Sequence, residues 1–315
     1  MNTVTQEKTR EGSKANRVES ILDLIGNTPL IKLHKMTEGI SPGVEVYVKA
    51  EWFNPGGSVK DRPALWMILE GIRSGKLTSD KVVIDSSSGN TAIAYALICA
   101  ALGYELDLVM PANVNIERKK TILAFGANVI YSDPLEGSDG AIMDARRLKE
   151  QNPDKYYMPD QYNNPANPRS HYESTAPEIW SQTQGRITHF FAGMGTSGTI
   201  VGTGKRLKEY NEDIKILAIE PAEALHGLEG LKHMATSIIP GIYDPELPDE
   251  IIGVETDISY AVMKDVLHKE GLFIGHSGGA VIHAALERAR ALEHGVLVAL
   301  LPDGGYRYLS GGLWW

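Results

Sequence analysis

The chain is poor in cysteine, with one, Cys99, in 315 residues. That excludes an intrachain disulfide framework and suits a reducing compartment. Cys99 stands in the apolar helical run "YALICAALG", where a small buried core residue is expected rather than a nucleophile. Positive charge is also scarce: 31 Lys and Arg face 40 Asp and Glu, for a net charge of −9, and the cations are scattered. Nothing in that distribution is a footprint for nucleic acid. No apolar run approaches the length needed to cross a membrane. The opening "MNTVTQEKTREGSKANRVES" lacks the apolar core of a signal peptide. A cytoplasmic protein is expected, its residues 1–18 forming a disordered tail.

What is present is ordinary for a globular protein, 43% hydrophobic and 23% charged, and long enough for a large core. Short β-branched runs alternate with longer helical patterns. Strands are predicted at 45–50, 81–86, 106–110, 127–131, 187–193, 214–220 and 296–302. Helices are predicted near 61–75, 91–102, 116–125, 138–150, 173–184, 198–210, 259–270 and 279–294, the last stopped by His294 and Gly295. Continuous apolar strands alternating with helices predict an α/β protein whose parallel sheets are covered on both faces. The Pro- and Asn-dense stretch 152–174 reads as the passage between two such domains. Ligands in these folds sit at the carboxyl ends of strands, often between domains.

Three strand-to-helix loops carry chemistry. In "FFAGMGTSGTIVGTGK", Gly193, Gly195 and Gly198 let backbone N–H groups wrap an anion at a helix start, and Thr196, Ser197 and Thr199 add hydroxyls. The bland alternative is a tight turn. The owner of the phosphate stays open here, because Glu220 at the end of the next strand is placed like the ribose-binding acid of a dinucleotide site. The second loop, "DSSSGNTAIAYA", crowds six small or polar residues at a helix start. One suffices for a cap, so the excess suggests a carboxylate cradle. The third, "NPGGSVKDRP", holds Lys60 in a glycine-rich turn just before Asp61 and Pro63 open a helix. A surface lysine is the bland reading. A lysine at the positive end of a helix and partly desolvated has its pKa lowered, as Schiff-base chemistry requires.

Together "IGNTPL", "NPGGSVKDRP", "SSGNTA", "ERKK", "NPANPRSHYESTAPEIW", "GMGTSGTI", "GHSGGA" and "PDGGYRYLS", in that order between residues 19 and 311, resemble the cysteine synthase family of fold-type-II pyridoxal-phosphate enzymes. The resemblance implies two three-layer α/β domains with parallel-sheet cores, of the tryptophan synthase β type. Residues 60–158 would form a smaller movable domain, and 19–59 with 159–315 a larger, cofactor-anchoring one. It assigns the phosphate to pyridoxal 5′-phosphate, held at Gly195, Thr196, Ser197, Gly198 and Thr199. Lys60 becomes the Schiff-base lysine and catalytic base, and Asn90 the partner of the ring oxygen O3′. Ser87, Ser88, Gly89, Asn90 and Thr91, with Gln161 alongside, would bind the substrate carboxylate.

The loop Ser87–Ala92 departs from the usual Thr-Ser-Gly-Asn-Thr-Gly, and Ser197 stands where glycine is usual. Pro302-Asp303-Gly304 stands where many relatives carry a serine near the pyridine nitrogen, and the resemblance to cysteine synthase B-type relatives implies Ser277, in "GHSGGA", as the preferred partner of that atom and Asp303 as the second.

The implied reaction is β-replacement: an activated serine, O-acetylserine or O-phosphoserine, loses its β-substituent to leave an aminoacrylate, and a sulfur donor adds to give L-cysteine. That donor is sulfide, thiosulfate or a protein thiocarboxylate. Lys232, after the turn "GLEG", resembles in place an arginine of cysteine synthase B-type enzymes and is expected to meet a substrate phosphate. A homodimer without metal is implied. Three alternatives stand beside this reading: condensation with homocysteine as in cystathionine β-synthase, a non-catalytic binding protein on the same fold, and a nicotinamide-dependent dehydrogenase that would leave Lys60 unexplained.

Overall fold

The computed structural model describes residues 17–113, 116–312 and 314. Residues 1–16 of the expected tail lie outside it. In chain order the strands and helices are β1 (Leu30–Lys32), β2 (Gly43–Ala50), α1 (Asp61–Arg73), β3 (Val82–Ser86), α2 (Asn90–Leu102), β4 (Leu106–Pro111), α3 (Ile116–Ala124), β5 (Asn128–Ser132), α4 (Gly137–Gln151) and β6 (Tyr156–Tyr157). There follow α5 (Ala166–Ser170), a π turn (His171–Thr175), α6 (Ala176–Gln182), β7 (His189–Gly193), α7 (Gly198–Tyr210), β8 (Lys215–Pro221), β9 (Glu250–Val254), α8 (Thr256–Glu270), α9 (His276–Arg290) and β10 (His294–Leu301). A final 3-10 segment covers Gly305–Gly311.

The strands form two sheets. The larger runs β1-β2-β10-β7-β8-β9 and the smaller β5-β4-β3-β6. Every pairing is parallel except β1 with β2. Alternate side chains point to opposite faces of a strand, and here both faces are dry. Phe191, Leu217, Ile219, Leu297 and Ala299 join the cluster that includes Met263 and Val281 of α8 and α9. Their neighbours Phe190, Ile216, Ala218, Val298 and Leu300 join the one that includes Ile179 and Ile200 of α6 and α7. In the smaller sheet Val83 and Leu108 face α1 and α2, whereas Ile84 and Val109 face α4. Two three-layer units with parallel cores result, as expected.

The local differences have local causes. The last long helix ends at Arg290, not at His294, because His294 already pairs with Gly43 as the first residue of β10. The helix predicted at 173–184 begins at Ala166 and widens through the π turn, where Pro168 near its start concealed it. The short β1, β6 and β9 were not expected, and β6 lies inside the stretch read as a passage. Among the described residues no helix is long and apolar enough to cross a membrane.

Candidate active site

The carboxyl ends of β3, β7 and β10 converge on one cleft with an inner chamber of ≈ 40 Å³ and an outer one of ≈ 450 Å³. Lys60, Asn90, Gly195 and Thr196 line both. Lys60 immediately precedes α1, after a turn in which Gly57 takes a φ of +76°, open at little cost only to glycine. The turn is pinned across the molecule. Val59 N–H donates to the Pro302 carbonyl at 2.8 Å, and Ser58 bridges to Asp303. Burial pulls the Lys60 pKa below that of a free lysine, with Asp303 opposing the shift.

Below this turn lies a buried ionic knot. Arg62, two residues past Lys60 and 1% exposed, donates to both oxygens of Glu51 (2.8 and 2.9 Å) and both of Glu178 (2.6 and 2.7 Å). Lys49 reaches Glu178 at 2.6 Å and the Thr28 carbonyl at 2.7 Å. Thr28 Oγ1 donates to Glu51 at 2.6 Å, and Gly26 N–H to the Asn54 side chain at 2.8 Å. The stretch "IGNTPL" is thereby wired to the lysine turn. Paired charges explain why Arg62 and Glu51 survive burial, and Arg62 holds the Glu51 carboxyl down at about 2 against its desolvation.

The loop after β3 supplies Ser87, Ser88 and Gly89, all half-buried on the outer chamber, and Thr91, whose hydroxyl donates to Gln161 Oε1 at 2.8 Å. Asn90 opens α2, and its Nδ2 donates to Asp303 Oδ2 at 2.7 Å.

The loop after β7 wraps the inner chamber. A Cβ on Gly195 would lie 2.2 Å from the Gly230 carbonyl oxygen, so the close approach needs glycine. Ser197 sits in the left-handed region at φ +67°, the conformation that favours glycine and that a serine holds at a cost of about 1 kcal/mol. Gly198 and Thr199 then start α7, whose free N–H groups and dipole suit an anion.

Asn167, unassigned in the sequence reading, braces this loop. Its Nδ2 donates to Thr196 Oγ1 at 3.2 Å and to the Gln161 carbonyl at 2.7 Å. Thr199 rests 3.3 Å from His171 of the π turn, whose other nitrogen meets Thr175 at 2.9 Å. Burial, aided by Arg62, lowers the His171 pKa to about 3 and keeps the ring neutral.

Ser277, in the first turn of α9, and Asp303 both line the inner chamber and are 2% and 1% exposed. Asp303 Oδ2 accepts the Tyr308 hydroxyl at 2.5 Å, and its Oδ1 has no hydrogen-bond partner among the described residues. At the outer mouth Arg118 of α3 donates to Glu229 at 2.6 Å and lies over the Tyr308 ring. Lys232 is half-buried on the outer chamber, its ammonium 4.9 Å from the Tyr162 ring centre and donating to the Ile238 carbonyl at 3.3 Å. Burial lowers its pKa, with Asp139 opposing.

All the site residues selected on the family resemblance except Gly198 therefore line one cleft, and Gly198 follows directly on its wall. Glu220 does not. It accepts the Met234 N–H at 3.0 Å and lines neither chamber, which removes the ribose-binding acid of the dinucleotide reading. Arg118 and Tyr308 were visible only as members of "ERKK" and "PDGGYRYLS". Arg118 is placed by contacts to Glu229 and Tyr308 more than a hundred residues away in sequence.

The model of the family described as "Pyridoxal-phosphate dependent enzyme" matches residues 21–303. A cysteine synthase from Aquifex aeolicus is 52% identical over 300 residues, covering 94% of this chain and 92% of that protein. Cysteine synthase B from Salmonella typhimurium is 41% identical over 289 residues, covering 92% and 94%. The crystal structure of a cysteine synthase (OASS) from Entamoeba histolytica superimposes with a TM-score of 0.93 at 36% identity, covering 98% of this chain and 94% of that one.

Proposed function

This chain belongs to the cysteine synthase family of pyridoxal-phosphate-dependent enzymes, and we propose that it makes L-cysteine by replacing the β-substituent of an activated serine with sulfur. The observation that carries the proposal is the convergence, in one cleft, of a desolvated lysine, a glycine-built anion cradle and a hydroxyl-rich loop.

The residues fit the cofactor. The Gly195–Thr199 loop and the start of α7 offer N–H and hydroxyl donors to a phosphate. Lys60 offers an amine for covalent attachment, Asn90 an amide for the ring oxygen, and Ser277 or Asp303 Oδ1, which has no partner among the described residues, a polar group for the ring nitrogen. When bound, pyridoxal phosphate supplies an electron sink for negative charge at the substrate α-carbon.

Lys60 Nζ, kept from full hydration, takes the α-proton. Ser87, Ser88, Gly89 and Thr91, with Gln161 fixing the Thr91 hydroxyl, orient the substrate carboxylate. We further read residues 60–158 as a domain whose closure carries this loop onto the substrate and excludes water. The buried lone Cys99 supports a cytoplasmic setting, and sedimentation of the purified protein would test the expected homodimer.

Lys232 supports a phosphate-bearing leaving group. Its ammonium is held over Tyr162 on the outer chamber, where the neutral acetyl of O-acetylserine needs no cation. Cysteine formation from sulfide should proceed with O-phosphoserine, and Lys232→Ala should lower kcat/KM for that substrate about tenfold or more, the value of a charge-assisted contact above ~1.4 kcal/mol. O-acetylserine use should stay nearly unchanged. Equal losses with both activated serines would remove Lys232 from substrate recognition, and a wild type idle with both would overturn the activity itself.

A further inference from the structure

We propose that Arg307 is a positioning residue that fixes the Asn90 side chain and the Lys60 turn to each other. Arg307 lies on the 3-10 segment after β10 and lines neither chamber, so it acts through its neighbours. One guanidinium nitrogen donates to Asn90 Oδ1 and another to the Gly56 carbonyl, two residues before Ser58.

The chemistry leaves Asn90 one orientation. A guanidinium has only donors and a carboxylate only acceptors. With Arg307 on one side of the amide and Asp303 Oδ2 at 2.7 Å on the other, reversal would set an amino group against the cation and a carbonyl against the carboxylate. The amino group thereby stays on the cleft side, with Asp303. The Gly56 end is equally held. Its N–H donates to Asp61 at 2.5 Å while its carbonyl accepts from Arg307, and a Cβ on Gly57 would come within 2.8 Å of the same guanidinium nitrogen. One planar cation thus sets the spacing between the turn that carries Lys60 and the residue that opens α2. A lysine, with a single point of charge, cannot span both contacts.

This inference rests on the proposed role of Asn90 at the cofactor ring oxygen, so the experiment separates the two. Arg307→Met, Arg307→Lys, Asn90→Ala and the Arg307→Met/Asn90→Ala pair are prepared as holoenzymes. The visible absorption of the bound cofactor is recorded against pH, with kcat and KM for the activated serine. Arg307→Met should lower kcat/KM about tenfold and displace the absorption profile in the same direction as Asn90→Ala. The double variant should be no worse than Asn90→Ala alone, within about twofold. Arg307→Lys should fall between wild type and Arg307→Met in both readouts.

Additive losses in the double variant, an unmoved absorption profile in Arg307→Met, or a lysine variant no better than methionine would each overturn the role of Arg307 alone. An unmoved profile in Asn90→Ala would overturn the reading of Asn90, and this inference with it.

Discussion

Replacing Lys60 by alanine is expected to lower kcat about 10³-fold or more while the protein stays folded, because one amine serves two purposes. In the proposed function it anchors the cofactor and moves the α-proton, a contribution typically worth on the order of 10²–10⁴ in rate. Among the described residues no other lysine lines the inner chamber, and Lys232 on the outer one is held over Tyr162. The fold should tolerate the change, since the turn is held by backbone contacts of Val59, Ser58 and Gly56 rather than by the lysine side chain. Borohydride treatment of the wild type, then peptide mapping, should place the pyridoxyl tag on residue 60. A tag on another lysine, or an alanine variant within about tenfold of wild type, would dismiss the assignment. Partial recovery of the alanine variant by added primary amines would support it.

The second large effect concerns stability. Arg62→Met should cost about 3–5 kcal/mol, the usual consequence of stranding a buried charge by removing its partner. Glu51 would lose two hydrogen bonds and keep only Thr28 and Asn54 as donors, in a place with no access to water. Glu178 retains Lys49 and is only partly enclosed, so the larger share of the loss belongs to Glu51. Adding Glu51→Gln to Arg62→Met removes the stranded charge and should recover part of the stability. Chemical denaturation of the three proteins measures this. A single variant within about 1 kcal/mol of wild type, or no recovery in the pair, would show that the knot is not the support described here.

How much of this was legible beforehand depended on range. Strands such as 106–110 and helices such as 61–75 were readable because apolar periodicity is local, and the three loops because small residues before a helix have a local meaning. β9 was not readable, since "EIIGV" becomes a strand only by lying beside β8. Nor did "IGNTPL" disclose its purpose, because its Thr28 matters through Glu51, Lys49 and Arg62, three residues that no spacing rule joins. The resemblance assigned Lys60 and Asn90. It was silent on Arg307, whose contacts cross 217 and 251 positions of sequence.

The order β1-β2-β10-β7-β8-β9 has a consequence for the growing chain. The smaller sheet draws its strands from residues 82–157 alone and can close while the ribosome is still adding the rest. The larger sheet cannot. β2 has to wait for β10, whose first residue, His294, pairs with Gly43 across a loop of some 250 residues, and such distant pairing is slow. Until then the apolar face of "VEVYVKA" stands open to any other strand edge, which makes the interval before β10 arrives the hazardous one for aggregation. The Lys60 turn is fastened by Pro302 and Asp303 at the far end of that same strand. A nascent chain stalled short of residue 303 would hold a finished small sheet and no working site. Catalytic competence therefore waits for Pro302 and Asp303 to emerge.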